Sequence, residues 1–242
     1  MSGRLYVGTS GFGYPAWAPR FYPAGARAEG LLPLYAARLP AVEVNSTYYR
    51  QPSSETVGAW CASTPPGFRF VVKALRTGTL RAWASDPEGT LPWLLAPALV
   101  FGERLGAILF RVGDPLPRDD ARLDRLLSAW PPAAPVVLEF QDPSWQADEV
   151  FARLRQAGAV LCATDLADDA DPPTIRLTGR FLYLRLRRDD YDGAELDAWA
   201  ARLEPFLAAG RDAYVFFKHD PVGRGGELAL ALRERLLAYA PG

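Results

Sequence analysis

The chain is poor in the residues that build metal centres. It has one histidine, His219, and two cysteines, Cys61 and Cys162, with no CxxC spacing. Zinc sites draw on several histidine or cysteine ligands at short spacing. Neither a zinc centre nor a multi-histidine nuclease site is therefore expected, although a carboxylate-bound magnesium stays open, and no cofactor is indicated. The two thiols stand among apolar residues and read as reduced cysteines of a cytoplasmic protein. An excess of charge of one sign is missing too. Lys and Arg number 27 against 28 Asp and Glu, so no global field draws nucleic acid or a membrane surface to the protein. Long apolar runs are absent. The most apolar stretch, LPWLLAPALVFG, contains two prolines and meets Glu103 and Arg104, well short of the roughly 20 residues that span a bilayer. The amino terminus, MSGRLYVGTS, lacks the apolar run of a signal peptide. No linker, charge block or low-complexity segment divides the sequence, so residues 1–242 are expected to form a single domain.

What is present is an alternation of short apolar runs and amphipathic stretches. Strands are expected at RLYVGTSG, AVEVNST, FRFVVKA, GAILFRV, PVVLEFQD, AVLCATD, RFLYLRLRR and DAYVFFKHD. Helices are expected at EGLLPLYAARLP, at SSETVGAWCAS behind a serine cap, over residues 90 to 104, at RDDARLDRLLSAW, at QADEVFARLRQAG closed by Gly158, at GAELDAWAARLEPFLAAG and at GGELALALRERLLAY. The sixth strand is followed by LADDADPPTIRLTG, which reads as loop. Eight strand–helix units in 242 residues predict an α/β fold of the TIM-type (β/α)8 barrel class, with an irregular or missing sixth helix. A doubly wound open sheet is the alternative.

Parity along the strands then selects candidate site residues, because alternate residues face the helices or the barrel interior. Val42 and Val44 share the helix side, which turns Glu43 and Asn45 inward. The same argument turns Lys73, Arg111, Glu139 and Gln141, and Tyr183, Arg185 and Arg187, inward on the third, fourth, fifth and seventh strands. The sixth strand ends in Asp165 and the eighth in Lys218 and His219, where parity does not choose between the last two. Glu43, Lys73, Arg111, Glu139, Asp165, Arg185 and one of Lys218 or His219 are expected to converge on the carboxyl-terminal mouth, where barrels carry their sites. Unpaired burial of so many ions is costly, so a purely structural salt-bridge network is the competing reading. The glycine-rich turn GTSGFG, with Ser10, offers backbone N–H groups to an anion but is no P-loop. Trp17 and Trp83, in loops after the first and third strands, are the tryptophans expected to line a pocket, and at least one of Tyr48 and Tyr49 is expected to reach the mouth.

The segments VGTSGFGYPAW…FYP, VEVNSTYYRQPSSETVGAW, TPPGFRFVVKA, LEFQDPSW, and YLRLRR followed by VFFKHD, taken in order, resemble the domain of unknown function 72 family, also called YecE-like. The resemblance implies a TIM-type barrel and carries no established activity. Its recurrent polar positions fall on Glu43, Asn45, Tyr49, Lys73, Glu139 and Arg185. The chain departs from the family pattern at Phe12, usually tryptophan, at LRTGTL, often a threonine–histidine pair, at Arg111, commonly glutamine, and at Gln141, commonly histidine or arginine.

The favoured reading is a metal-independent small-molecule enzyme acting on a phosphate, carboxylate or sugar. Glu43 or Glu139 would serve as general base or acid. Lys73 would be an electrostatic stabiliser or proton donor, with Schiff-base nucleophile as the less favoured role. Arg185 and Arg111 would hold an anionic group by forked hydrogen bonds. Asn45, Tyr49, Asp165, Lys218, His219, Ser10 and Trp17 complete the expected substrate-binding set. The alternatives are a non-catalytic ligand-binding sensor or scaffold, and a nuclease or DNA-repair protein.

Overall fold

The computed structural model describes residues 2–113, 116–168 and 171–241. Eight parallel strands form one sheet: β1 (Leu5–Thr9), β2 (Ala41–Val44), β3 (Arg69–Lys73), β4 (Leu105–Val112), β5 (Val136–Phe140), β6 (Val160–Asp165), β7 (Phe181–Leu186) and β8 (Asp212–Phe217). Their hydrogen-bonded order, β1-β8-β7-β6-β5-β4-β3-β2, brings the first strand beside the last and makes a (β/α)8 barrel of the TIM type. Helices α1 (Leu31–Ala36), α2 (Ser54–Ala62), α3 (Arg76–Ala84), α4 (Pro87–Leu99), α5 (Asp120–Ala129), α6 (Asp148–Ala157), α7 (Gly193–Ala208) and α8 (Arg224–Arg235) surround it. No helix follows β6 among the described residues, as expected. None of the described helices is long and apolar enough to cross a membrane.

Local chemistry sets the helix ends. Ser53 caps α2, Asp86 caps α4 and Asp119 caps α5, each accepting from a backbone N–H of the first turn. Asp192 and Glu195 form a reciprocal capping box on α7. Gly158 closes α6 at φ 68°. The region after β3 differs from expectation. Asp86 and Pro87 start α4 at residue 87, and only a short 3-10 turn occupies Gly102–Arg104. The additional α3 has weak helical sequence, RTGTLRAWA, and owes its place to burial of Ala82 and Trp83, the latter edge-on to Trp145 at 5.6 Å.

Two apolar layers hold the structure. One lies between strands and helices and includes Val42, Val44, Phe70, Phe110, Leu138 and Leu184. The other fills the barrel and includes Tyr6, Val71, Leu109, Val137, Cys162, Tyr183 and Phe216. Neither cysteine is in a disulfide; Cys162 is buried and Cys61 half-buried.

The seam between β1 and β2 has no backbone ladder among the described residues. Tyr35 of α1 replaces it: its hydroxyl accepts from Thr9 N at 2.8 Å and donates to Ala41 O at 3.0 Å. Gly8 allows this approach, since a Cβ there would stand 2.0 Å from Ala41 O. At the mouth the seam is spanned again, by Asn45 Nδ2 donating to Ser10 O at 3.3 Å. β5 and β6 are paired only at Val137–Val160 and Leu138–Leu161, so they part toward the mouth beside Glu139.

Candidate functional site

Strand parity delivers the polar side chains to the mouth as the sequence implies. Glu43, Lys73, Glu139 and Arg185 are all buried, and Arg111 is half-buried. Arg185 is the hub. Its Nη2 donates to Glu43 Oε1 at 2.8 Å and its Nη1 to Glu139 Oε1 at 2.6 Å. The side chain thus ties β7 to β2 on one flank and β5 on the other. Glu43 Oε2 receives the Tyr183 hydroxyl at 2.6 Å. Both of its oxygens are taken and the residue is 0% exposed, so Glu43 fixes Arg185 rather than offering a free base.

Glu139 is different. Thr164 Oγ1 lies 3.4 Å from Oε1, while Oε2 is buried without a hydrogen bond, 3.7 Å from Arg111 Nε. Arg111 Nη2 donates to Gln141 Oε1 at 2.9 Å, so two positions at which the chain departs from the family pattern are bonded to each other. Lys73 is 8% exposed. Its ammonium lies over the ring of Tyr48, 4.5 Å from the centroid, and among the described residues it pairs with no carboxylate. The Thr47 hydroxyl, 2.6 Å from Val44 O and 2.7 Å from Lys73 O, holds the end of β3 against β2.

A second polar group sits beside the seam. Ser10 Oγ contacts Phe217 O at 3.2 Å, accepts from His219 N at 3.1 Å and from Arg187 Nη1 at 3.2 Å, and lies 3.4 Å from His219 Nδ1. The His219 ring stacks on Tyr14 at 5.2 Å and 2°. Arg187 also has no carboxylate partner among the described residues. Asn45 Oδ1 is buried and unpartnered.

The electrostatics follow from this crowding. Burial would raise the Glu139 carboxyl, but Arg185, with Lys73 and Arg111 behind it, outweighs burial and holds it below its ordinary value. Burial lowers Lys73, and Arg185 adds to the effect against the pull of Glu139 and Glu43. Burial and then Arg185 lower Arg187, while burial and then Arg187 lower His219. For Arg185 the two glutamates overcome burial and push the guanidinium up. Among the described residues, no three of His, Cys, Asp and Glu gather where they could hold a metal ion.

Other expected residues lie elsewhere. On β6 it is Val160, Cys162 and Thr164 that face the interior, so Asp165 turns to the helix layer and binds the Tyr191 hydroxyl at 2.7 Å and Arg188 Nε at 3.1 Å. Lys218 extends to Asp189 at 2.6 Å on the rim. Trp17 is 0% exposed and gives its indole N–H to Asp220 O at 2.8 Å, and Trp83 is buried; neither lines the mouth. Tyr49 is 80% exposed and stands edge-on to Tyr48, which is the tyrosine that reaches Lys73. Tyr183 and Arg187, placed inward by parity, and Tyr48, one of the two tyrosines expected to reach the mouth, join the site together with Thr164, which the sequence reading does not single out.

The architecture and its charged, arginine-centred mouth define a (β/α)8 barrel with a polar site at the carboxyl ends of its strands. Within that class, residues 6–241 match the family model described as "Protein of unknown function DUF72", and the chain belongs to that family. The crystal structure of a DUF72 family protein from Thermotoga maritima is similar, with TM-score 0.85 and 25% identity, covering 97% of this chain and 99% of that one. Two crystal structures of an Enterococcus faecalis DUF72 family protein share the fold. One has TM-score 0.75 and 20% identity, covering 98% of each chain. The other has 0.77 and 21%, covering 97% of this chain and 95% of that one. No curated protein matches.

Proposed function

We propose that the mouth binds a small anionic molecule and acts on it by metal-independent acid–base chemistry. The observation that carries this reading is the imbalance of charge. Glu43 and Glu139 are both bonded to Arg185, while among the described residues Lys73 and Arg187 stand in the same field without carboxylates of their own. Lys73 is buried and Arg187 half-buried, and keeping cations away from both water and a counter-charge is costly; an anionic group from outside would relieve both. Arg187 suits a phosphate or carboxylate through its forked N–H donors. Glu139 Oε2, buried and free of hydrogen bonds, is the group suited to take and return a proton. That last feature favours an enzyme over a sensor, which needs donors alone.

The test is a thermal-shift screen of phosphorylated and carboxylated metabolites, with titration calorimetry of the hits. Arg187→Ala should abolish binding without unfolding the protein, because Arg187 lies outside the Glu43–Arg185–Glu139 node. Turnover of a hit should fall at least about 100-fold in Glu139→Gln, the scale of a lost general acid or base. Hits that bind Arg187→Ala as well as the parent protein would refute the assignment.

A further inference from the structure

We infer that Lys73 is the nucleophile of this site, and that the substrate is a small aldehyde or ketone bearing an anionic group. Its carbonyl carbon becomes an imine on Lys73 Nζ while its anion rests on Arg187. The inference builds on the anion-site reading above.

The chain's use of basic residues is the first argument. Among its 27 basic residues only two are lysines, Lys73 and Lys218. Nearly everywhere else that it places positive charge this chain uses arginine, even for the buried Arg185 in the same mouth. An arginine stays protonated and cannot serve as a nucleophile under ordinary conditions, whereas an amine can shed its proton and attack carbon. Lys218 has a plain electrostatic role in its contact with Asp189 at 2.6 Å. Lys73 makes no such ion pair among the described residues; its ammonium meets the face of Tyr48 instead.

Placement is the second argument. Thr47 fixes the backbone at Lys73, and Tyr48 covers one side of the amine. Burial and the Arg185 charge both favour the neutral amine. In the strand order β3 and β7 are separated by four steps in either direction around the ring, so Lys73 and Arg187 belong to opposite walls. A molecule bonded at one end and held by its anion at the other would lie across the mouth.

The step balances without an oxidant or reductant. Lys73 passes a proton through an intervening water to Glu139, and the neutral amine attacks the carbonyl carbon. The carbonyl π pair moves to oxygen, which takes a proton from the new ammonium centre and gives a carbinolamine. Glu139 returns its proton to the hydroxyl, water leaves, and the nitrogen lone pair forms the protonated imine. Glu139 ends as it began.

The experiment is reductive trapping. The full chain is incubated separately with glyoxylate, pyruvate, glycolaldehyde phosphate and dihydroxyacetone phosphate in the presence of cyanoborohydride, then analysed by intact mass and peptide mapping. Lys73, Lys218 and the amino terminus are the only amines to be distinguished. At least one probe should label Lys73 in about tenfold excess over Lys218, Lys73→Arg should lose that adduct while keeping its circular dichroism spectrum, and Arg187→Ala should weaken labelling. Labelling that never favours Lys73 with any probe overturns the inference. If phosphate or carboxylate binding persists in that case, the anion site survives and only the imine fails; if binding is absent as well, both readings fall.

Discussion

Replacing Arg185 with methionine would leave two carboxylates stranded inside the barrel. Arg185 is 4% exposed and is hydrogen-bonded to both Glu43 and Glu139. Removing one member of a buried ion pair costs about 3–5 kcal/mol, because the charge left behind has lost its solvent and its partner. Here two charges are left. Tyr183 still holds Glu43 and Arg111 still lies 3.7 Å from Glu139, so the cost should sit near the top of that range rather than double it. In a chain of this size that corresponds to a fall in Tm of about 10–20 °C. The charge argument also fixes the pH dependence. In the parent protein Glu139 is held below its ordinary value, so its contribution is present above the unfolded carboxylate range and is lost as pH falls through the lowered value. In Arg185→Met the Glu139 carboxyl, buried and without its main counter-charge, should instead rise above its unfolded value, and that variant should lose stability as pH climbs through it. The gap between the two proteins should therefore be widest near neutrality and shrink toward about pH 4. Urea denaturation at about pH 7.5 and about pH 5, supported by thermal melts, measures it. The triple variant carrying Glu43→Gln, Glu139→Gln and Arg185→Met should recover much of the loss. A cost under about 1 kcal/mol, the scale of an exposed pair, or a gap that does not change with pH, would refute the reasoning.

Three further outcomes are expected. Tyr35→Phe leaves Thr9 N and Ala41 O without their shared partner and should cost about 2–4 kcal/mol in urea denaturation, from two buried groups at about 1–3 kcal/mol each. Gly8→Ala forces a methyl group against Ala41 O and should destabilise the same seam, lowering Tm; an unchanged melt would mean that β1 and β2 can separate freely. His219, the only histidine, faces Arg187, Ser10, Tyr14, Lys218 and Asp220, and its proton NMR titration should show a midpoint below about 6.5. Its contribution to stability is then complete above that value and is lost as pH falls toward the lowered midpoint. Arg187→Ala should raise the midpoint, and a midpoint unmoved by that change would sever the link between the two residues.

The barrel and the centre of its site were legible for one reason, which is that period-two alternation is strict in a buried strand. Glu43 between Val42 and Val44, and Glu139 between Leu138 and Phe140, could face only one way. Asp165 shows how the same rule is lost. In AVLCATD small and apolar residues occupy both faces, so the phase could not be read, and the inward series proved to be Val160, Cys162 and Thr164. Loops carry no period at all, which is why spacing does not show that Trp17 turns into the core and does not choose between Tyr48 and Tyr49. Helix α3 was missed because packing, rather than its own threonines and glycine, makes it helical. Tyr35 read simply as an apolar helix position; nothing in sequence spacing announces a hydroxyl that stands in for a strand ladder.

That tyrosine bears on how the chain can assemble. The backbone ladder of β1 is made with β8, far along the chain, with Leu5 opposite Ala213. Contacts across so much intervening chain form late. Thr9, Tyr35 and Ala41, by contrast, lie close together in sequence, so their contacts can form early. The tyrosine thus gives the first two strands a local tie that does not depend on the distant pairing of β1 with β8.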